Sequence, residues 1–101
     1  MTLPGTDYEL QTTFWADFSI ADVLGVEAVQ DTYDRAIEEW KDHAVYLTEL
    51  VMVLNHKCWQ HYDAGHGSLC KKYEELYYKA DTYAMDHLKD EELQYYLWTV
   101  D

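Results

Sequence analysis

Positive charge is what this chain has least of. Seven Lys and Arg, only one of them Arg, stand against twenty Asp and Glu in 101 residues, a formal net charge of −13 with His neutral. A deficit that large opposes nonspecific attraction to phosphate backbones and anionic lipid, so direct nucleic-acid binding is excluded as a function class. Long apolar runs are missing too. Nothing approaches the roughly 20 residues that cross a bilayer, and the N-terminus has no basic flank ahead of an apolar stretch, which points to a cytoplasmic protein with no membrane contact. The two cysteines, Cys58 and Cys70, are too few for a disulfide scaffold, and reduced thiols are expected. One proline and four glycines leave little to interrupt helices. Leu, Ile, Val and Phe together number only 22, near the limit at which acidic chains stop folding, but ten Tyr and four Trp supply large buriable surfaces. At this length one domain is expected.

Apolar periodicity then sets the fold class: an all-α, small helical bundle with three main helices, short flanking helices and an irregular N-terminal segment. Residues 1–13 lack a sustained period and read as irregular, leaving residues 14–101 as a single helical domain. Phe18 and Val23 around Ser19 look like a hydrophobic staple with Ser19 as N-cap and Asp22 as the capping-box acid, so a short helix is expected to run from Ser19 to Gly25. Val26, Val29, Tyr33, Ala36, Ile37 and Trp40 define a helix over about 26–42. Leu47, Leu50, Val51, Leu54, Cys58 and His61 or Tyr62 define a second over about 45–62, widened by Met52 and Val53 and therefore central. Gly65-His66-Gly67 is the one strong interior turn, and Ser68 is a good N-cap for a third helix over about 68–88, carrying Leu69, Tyr73, Leu76, Ala80, Tyr83 and His87. The second and third helices should pair as an antiparallel hairpin. Asp90 is expected to cap a short final helix with Leu93, Tyr96 and Leu97.

Charge separates otherwise similar helices. Glu27, Asp31, Asp34 and Glu38 recur at helical spacing on one outward stripe, with Glu39 and Asp42 flanking it. Like charges so placed repel; Arg35 is within reach of Asp31 and Glu39, and Lys41 follows Glu38. By contrast, Lys71, Glu75 and Lys79 form an ordinary paired ladder on the third helix. Residues 1–50 hold two basic and eleven acidic side chains, residues 51–101 five and nine, so the acidity is polarised. The stripe fits either a solubilising face or a surface for a basic partner.

Cys58, His61, His66 and Cys70 straddle the glycine turn as C-x2-H-x4-H-x3-C. They are a candidate zinc set, though the spacing fits no standard finger, and the alternative is a core thiol beside loop histidines with no cofactor at all. Catalytic motifs are absent: there is no Gly-rich phosphate loop, H-E-x-x-H or G-x-S-x-G. Adjacent acids such as Glu38 with Glu39 or Glu91 with Glu92 diverge by about 100° on a helix, too far for an acid/base pair. The expectation is therefore a protein that is not an enzyme and has no catalytic residue.

The stretches Phe14-Trp15-Ala16-Asp17-Phe18-Ser19-Ile20-Ala21-Asp22, Asp31-Thr32-Tyr33-Asp34-Arg35-Ala36 with Glu38-Glu39-Trp40, and Tyr46-Leu47-Thr48-Glu49-Leu50-Val51-Met52-Val53-Leu54-Asn55-His56-Lys57 resemble a family of small helical proteins of Firmicutes and their phages or mobile elements. The resemblance implies an apolar residue at the position of Cys58, against a family-wide zinc site. It also implies an accessory protein, similar in character to anti-CRISPR inhibitors, some of which imitate nucleic acid. Two function classes follow. One is an inhibitor whose acidic stripe, Glu27, Asp31, Asp34, Glu38, Glu39 and Asp42, occupies the basic site of a CRISPR effector nuclease. The other is a helical adaptor or homo-oligomer whose Tyr- and Trp-rich faces bury against a second copy or a host protein.

Overall fold

Glycine and packing, more than side-chain caps, decide where the helices begin and end. The computed structural model describes the backbone of residues 3–100 and the side chains of residues 13–100. Five helices follow in order: α1 (Leu3–Leu24), α2 (Val26–Trp40), α3 (Ala44–Ala64), α4 (Gly67–His87) and α5 (Asp90–Val100). No strand occurs among the described residues. Gly25 joins α1 to α2 at φ 117°, a backbone region that side chains with a Cβ rarely enter. Gly65 ends α3 in the left-handed region at φ 78°. The Gly65 amide donates to the Tyr62 carbonyl and the His66 amide to the His61 carbonyl, the paired bonds of a Schellman motif. None of α2, α3 and α4 has a side-chain hydrogen bond at its N-cap.

Four local expectations are corrected. The segment 1–13 is not irregular: from Leu3 it belongs to one long helix. Pro4 falls in the first turn, where its missing amide costs nothing, and after Gly5 in that same turn no Pro or Gly follows until Gly25. Ser19 accordingly lies inside α1 and caps nothing, since Phe18 packs into the core from within the helix. Ser68 stands inside α4, whose N-cap is His66 because the Schellman turn lets the chain re-enter helix at once. Asp90 is in the first turn of α5 at φ 55°, beside Glu91 and Glu92, so three carboxylates face the positive end of the helix dipole.

The expected hairpin of α3 and α4 is the most extensive packing in the molecule, and α3 also touches α1, α2 and α5. Leu47, Leu50, Val51, Val53 and Leu54 are fully buried over nearly half of the circumference of α3. Phe14, Phe18 and Ala21 of α1, Val29 and Tyr33 of α2, Tyr73, Leu76, Ala80 and Ala84 of α4, and Tyr96 of α5 close over them as one core. The Tyr96 hydroxyl donates to Asp81, tying α5 to α4. A radius of gyration of 13.1 Å matches a compact chain of about 100 residues.

Gly65 and Gly67 make opposite demands. Gly65→Ala places a Cβ on a left-handed residue and should lower stability by about 1 kcal/mol. Gly67→Ala, in helical backbone with open space around the new methyl, should raise it by about 0.5 kcal/mol. Urea denaturation of both variants tests the pair; equal effects would contradict the turn geometry.

Candidate functional site

The amphipathic period of α2 places its acids by default. Val29, Thr32 and Tyr33 turn inward, so Glu27, Asp31, Asp34, Glu38 and Glu39 emerge on the exposed side. Their neutralisation is slight. Gln30 donates to Asp34 at 2.8 Å, and Lys41 reaches Glu38 at 3.3 Å in an exposed pair. Among the described residues, Arg35 forms an ion pair with neither Asp31 nor Glu39. Asp31 and Arg35 instead line a groove between α1 and α2 with Asp17, Ile20, Leu24 and Ala28. The groove continues past Thr32 to Phe14, Glu39 and Trp40. Asp42 departs from the stripe. Because α2 ends at Trp40, Asp42 lies in the following turn, on an open cleft of about 430 Å³ shared with His43, Tyr46, Glu91, Glu92 and Tyr95. On α4, Glu75 pairs with Lys72 and Lys79, not Lys71, and Lys72 also donates to Gln30 of α2.

A second constellation is buried, and periodicity did not single it out. Asp22 of α1 faces the α3–α4 hairpin with its side chain only 12% exposed. Its Oδ2 accepts from Lys57 Nζ at 2.6 Å and from His61 Nε2 at 2.9 Å, and its Oδ1 accepts from the Tyr73 hydroxyl at 2.5 Å. Lys57, 3% exposed, also reaches Ser19 Oγ at 3.4 Å and lies 5.3 Å from the Trp15 ring centre. The His61 ring stacks on Tyr73. Burial alone would push the Asp22 carboxyl up, but the hydrogen bonds from Lys57, Tyr73 and His61 outweigh it and hold it below the usual carboxylate value. Burial, reinforced by Asp22, pushes the Tyr73 phenol far up, so it remains a neutral donor.

A carboxylate only accepts, so His61 Nε2 carries a proton. Its other nitrogen, Nδ1, lies 3.0 Å from His66 Nδ1, and one proton bridges the two rings. Both ring nitrogens of His61 are thereby engaged. Cys58 and Cys70 meet separately, with their sulfurs 3.9 Å apart. Burial, then the Cys70 thiol and Glu74, push the Cys58 thiol up to about 11. The four candidate zinc ligands thus come together as two pairs. Among the described residues no group of three or more His, Cys, Asp or Glu is arranged to hold a metal ion. His61 and Cys70 border an open depression over the glycine turn with Tyr62, Gly65, Gly67, Lys71 and Glu74.

The signal for the buried cluster was present in the sequence. Lys57 continues the stripe Leu50, Leu54, Lys57, His61, and Asp22 continues Trp15, Phe18, Asp22, each in steps of three and four. Opposite charges interrupting two apolar stripes mark a pair that finds its partner in the core.

Asp22→Asn leaves Lys57 buried without its counter-ion and should cost about 3 kcal/mol in urea denaturation. The lowered carboxyl means that the folded chain has released a proton that the unfolded chain still binds at mildly acid pH. Its stabilisation is therefore complete above the ordinary carboxylate value and is lost as pH falls through the lowered one. Stability measured against pH should fall less steeply at the acid end in Asp22→Asn than in the wild type; parallel curves would remove Asp22 from that role.

Compared with protein-family models, curated proteins and solved structures, the chain matches none of them.

Proposed function

We propose that this protein is a non-enzymatic inhibitor of the anti-CRISPR type, carried by a phage or mobile element, that lays the acidic face of α2 against the basic nucleic-acid site of a CRISPR effector nuclease. The observation that carries the proposal is the exposed run Glu27, Asp31, Asp34, Glu38 and Glu39, to which Lys41 is the one cation paired among the described residues. Successive helical turns set such carboxylates roughly 5–6 Å apart, an interval over which a groove lined by Arg and Lys accepts acids in place of phosphates. Asp17 and Asp31 extend the acidic surface into the α1–α2 groove. The resemblance of the segments between Phe14 and Lys57 to proteins of mobile elements supports the setting, and on this view the protein acts in the cytoplasm.

A second possibility, a helical adaptor or homo-oligomer, draws on exposed apolar side chains: Val23 at 86%, Leu24 at 73% and Trp98 at 91%. Ionic strength separates the two. Docking through α2 weakens steeply between about 50 and 200 mM salt, whereas an apolar interface is nearly indifferent.

Changing Glu27, Asp31, Asp34 and Glu38 together to Lys, with helicity checked by circular dichroism, should reduce affinity for a Cas9-type nuclease and inhibition of its DNA cleavage by at least about tenfold. Undiminished inhibition, or a wild-type protein that binds no CRISPR effector at low salt, would overturn the proposal. Salt-insensitive self-association would favour the adaptor.

A further inference from the structure

Two thiols on neighbouring helices lie against one another, and the acidic face does not use them. Cys58 sits in the last two turns of α3 and Cys70 in the first turn of α4, on either side of the Schellman turn at Gly65. Their sulfurs are 3.9 Å apart and both thiols are free. Both side chains are partly exposed, and Cys70 borders the open depression over the turn. A disulfide needs its sulfurs at about 2.05 Å, so each has to move by only about 1 Å, within the reach of side-chain rotation. The α3–α4 hairpin is the most extensive packing in the fold and already holds the two backbones side by side.

We propose that Cys58 and Cys70 are a reversible redox pair, oxidised by a small disulfide such as oxidised glutathione to an intramolecular bond that clamps α3 to α4. The first step falls to Cys70, the thiol that opens onto the depression. Its thiolate attacks one sulfur of oxidised glutathione, breaks that S–S bond and expels one glutathione thiolate, leaving a mixed disulfide on Cys70. Cys58 then loses its proton to solvent and attacks Cys70 Sγ, and the second glutathione leaves as thiolate. The protein gives up two electrons and two protons, and one oxidised glutathione becomes two reduced ones.

The bond lands beside the buried cluster. Cys58 follows Lys57 directly and Cys70 precedes Tyr73 by one helical turn, so oxidation ties together the two segments that donate to Asp22. The sites are 12 residues apart, and a cross-link over that span removes conformations chiefly from the unfolded chain. Oxidation therefore stabilises the bundle in its existing arrangement, whatever partner α2 engages.

The experiment treats the purified full chain with oxidised glutathione, then counts free thiols, measures intact mass and records thermal unfolding before and after dithiothreitol. Expected are loss of both thiols, a mass lower by two hydrogens, no covalent dimer, and a rise in Tm of at least about 5 °C that dithiothreitol reverses. In Cys58→Ser one glutathione should accumulate on Cys70. In Cys70→Ser the remaining thiol should react at least about tenfold more slowly. Two glutathione adducts on the wild type, a disulfide-linked dimer, unreacted thiols in the folded protein that react in urea, or a lowered Tm would each overturn the proposal.

Discussion

The carboxylate of Asp22 is the point on which the arrangement of three helices depends. Withdrawing an aspartate and a lysine from water is costly, and the attraction between them offsets that cost only when the remaining donors and acceptors are satisfied. Here they are: Lys57 and His61 from α3 and the Tyr73 hydroxyl from α4 converge on one acid from α1. Apolar contacts tolerate sliding by a residue or a few tens of degrees of rotation, but this network does not. It sets the rotation of α1 against the α3–α4 hairpin, and with it the position of everything that α1 carries.

The placement of α2 follows from that of α1. Gly25 turns the chain directly from one helix to the other, and Val29, Thr32 and Tyr33 seal α2 onto the bundle. Lys72 reaches across from α4 to Gln30. With its inner face committed, α2 has no alternative to exposing its acids, and the α1–α2 groove inherits Asp17 and Asp31 on its walls. The same acids repel one another and lower the net stability of the fold, which a core built around Leu47, Leu50, Val51 and Leu54 can sustain. The Gly65 turn brings two histidines and two thiols into two separate contacts, since His61 is already committed to Asp22.

Helix positions were readable from the chain because they depend on local period and on Gly. Val29 and Tyr33, Leu50 and Leu54, and Tyr73, Leu76 and Ala80 are buried where a three- and four-residue rhythm puts them, and Gly25 and Gly65 end helices as expected. The exposure of Glu27, Asp31, Asp34, Glu38 and Glu39 was equally readable, as the complement of the apolar face. Capping was not. Ser19, Ser68 and Asp90 have the right chemistry for N-caps, yet each lies inside a helix, because a capping residue and a polar residue within a helix look alike in one dimension.

By itself the sequence determined a helical chain with an acidic face, two glycine turns and a central apolar helix, since each of these arises from neighbours within a few residues. Only the tertiary structure decided that Asp22 leaves the capping role for the core, that Lys57 is buried, that His61 bonds to Asp22 and His66, and that Cys58 meets Cys70. Three of the contacts to Asp22 span 35, 39 and 51 residues. Whether such side chains meet depends on how the helices rotate and cross in three dimensions, which the spacing of residues along any one helix does not specify.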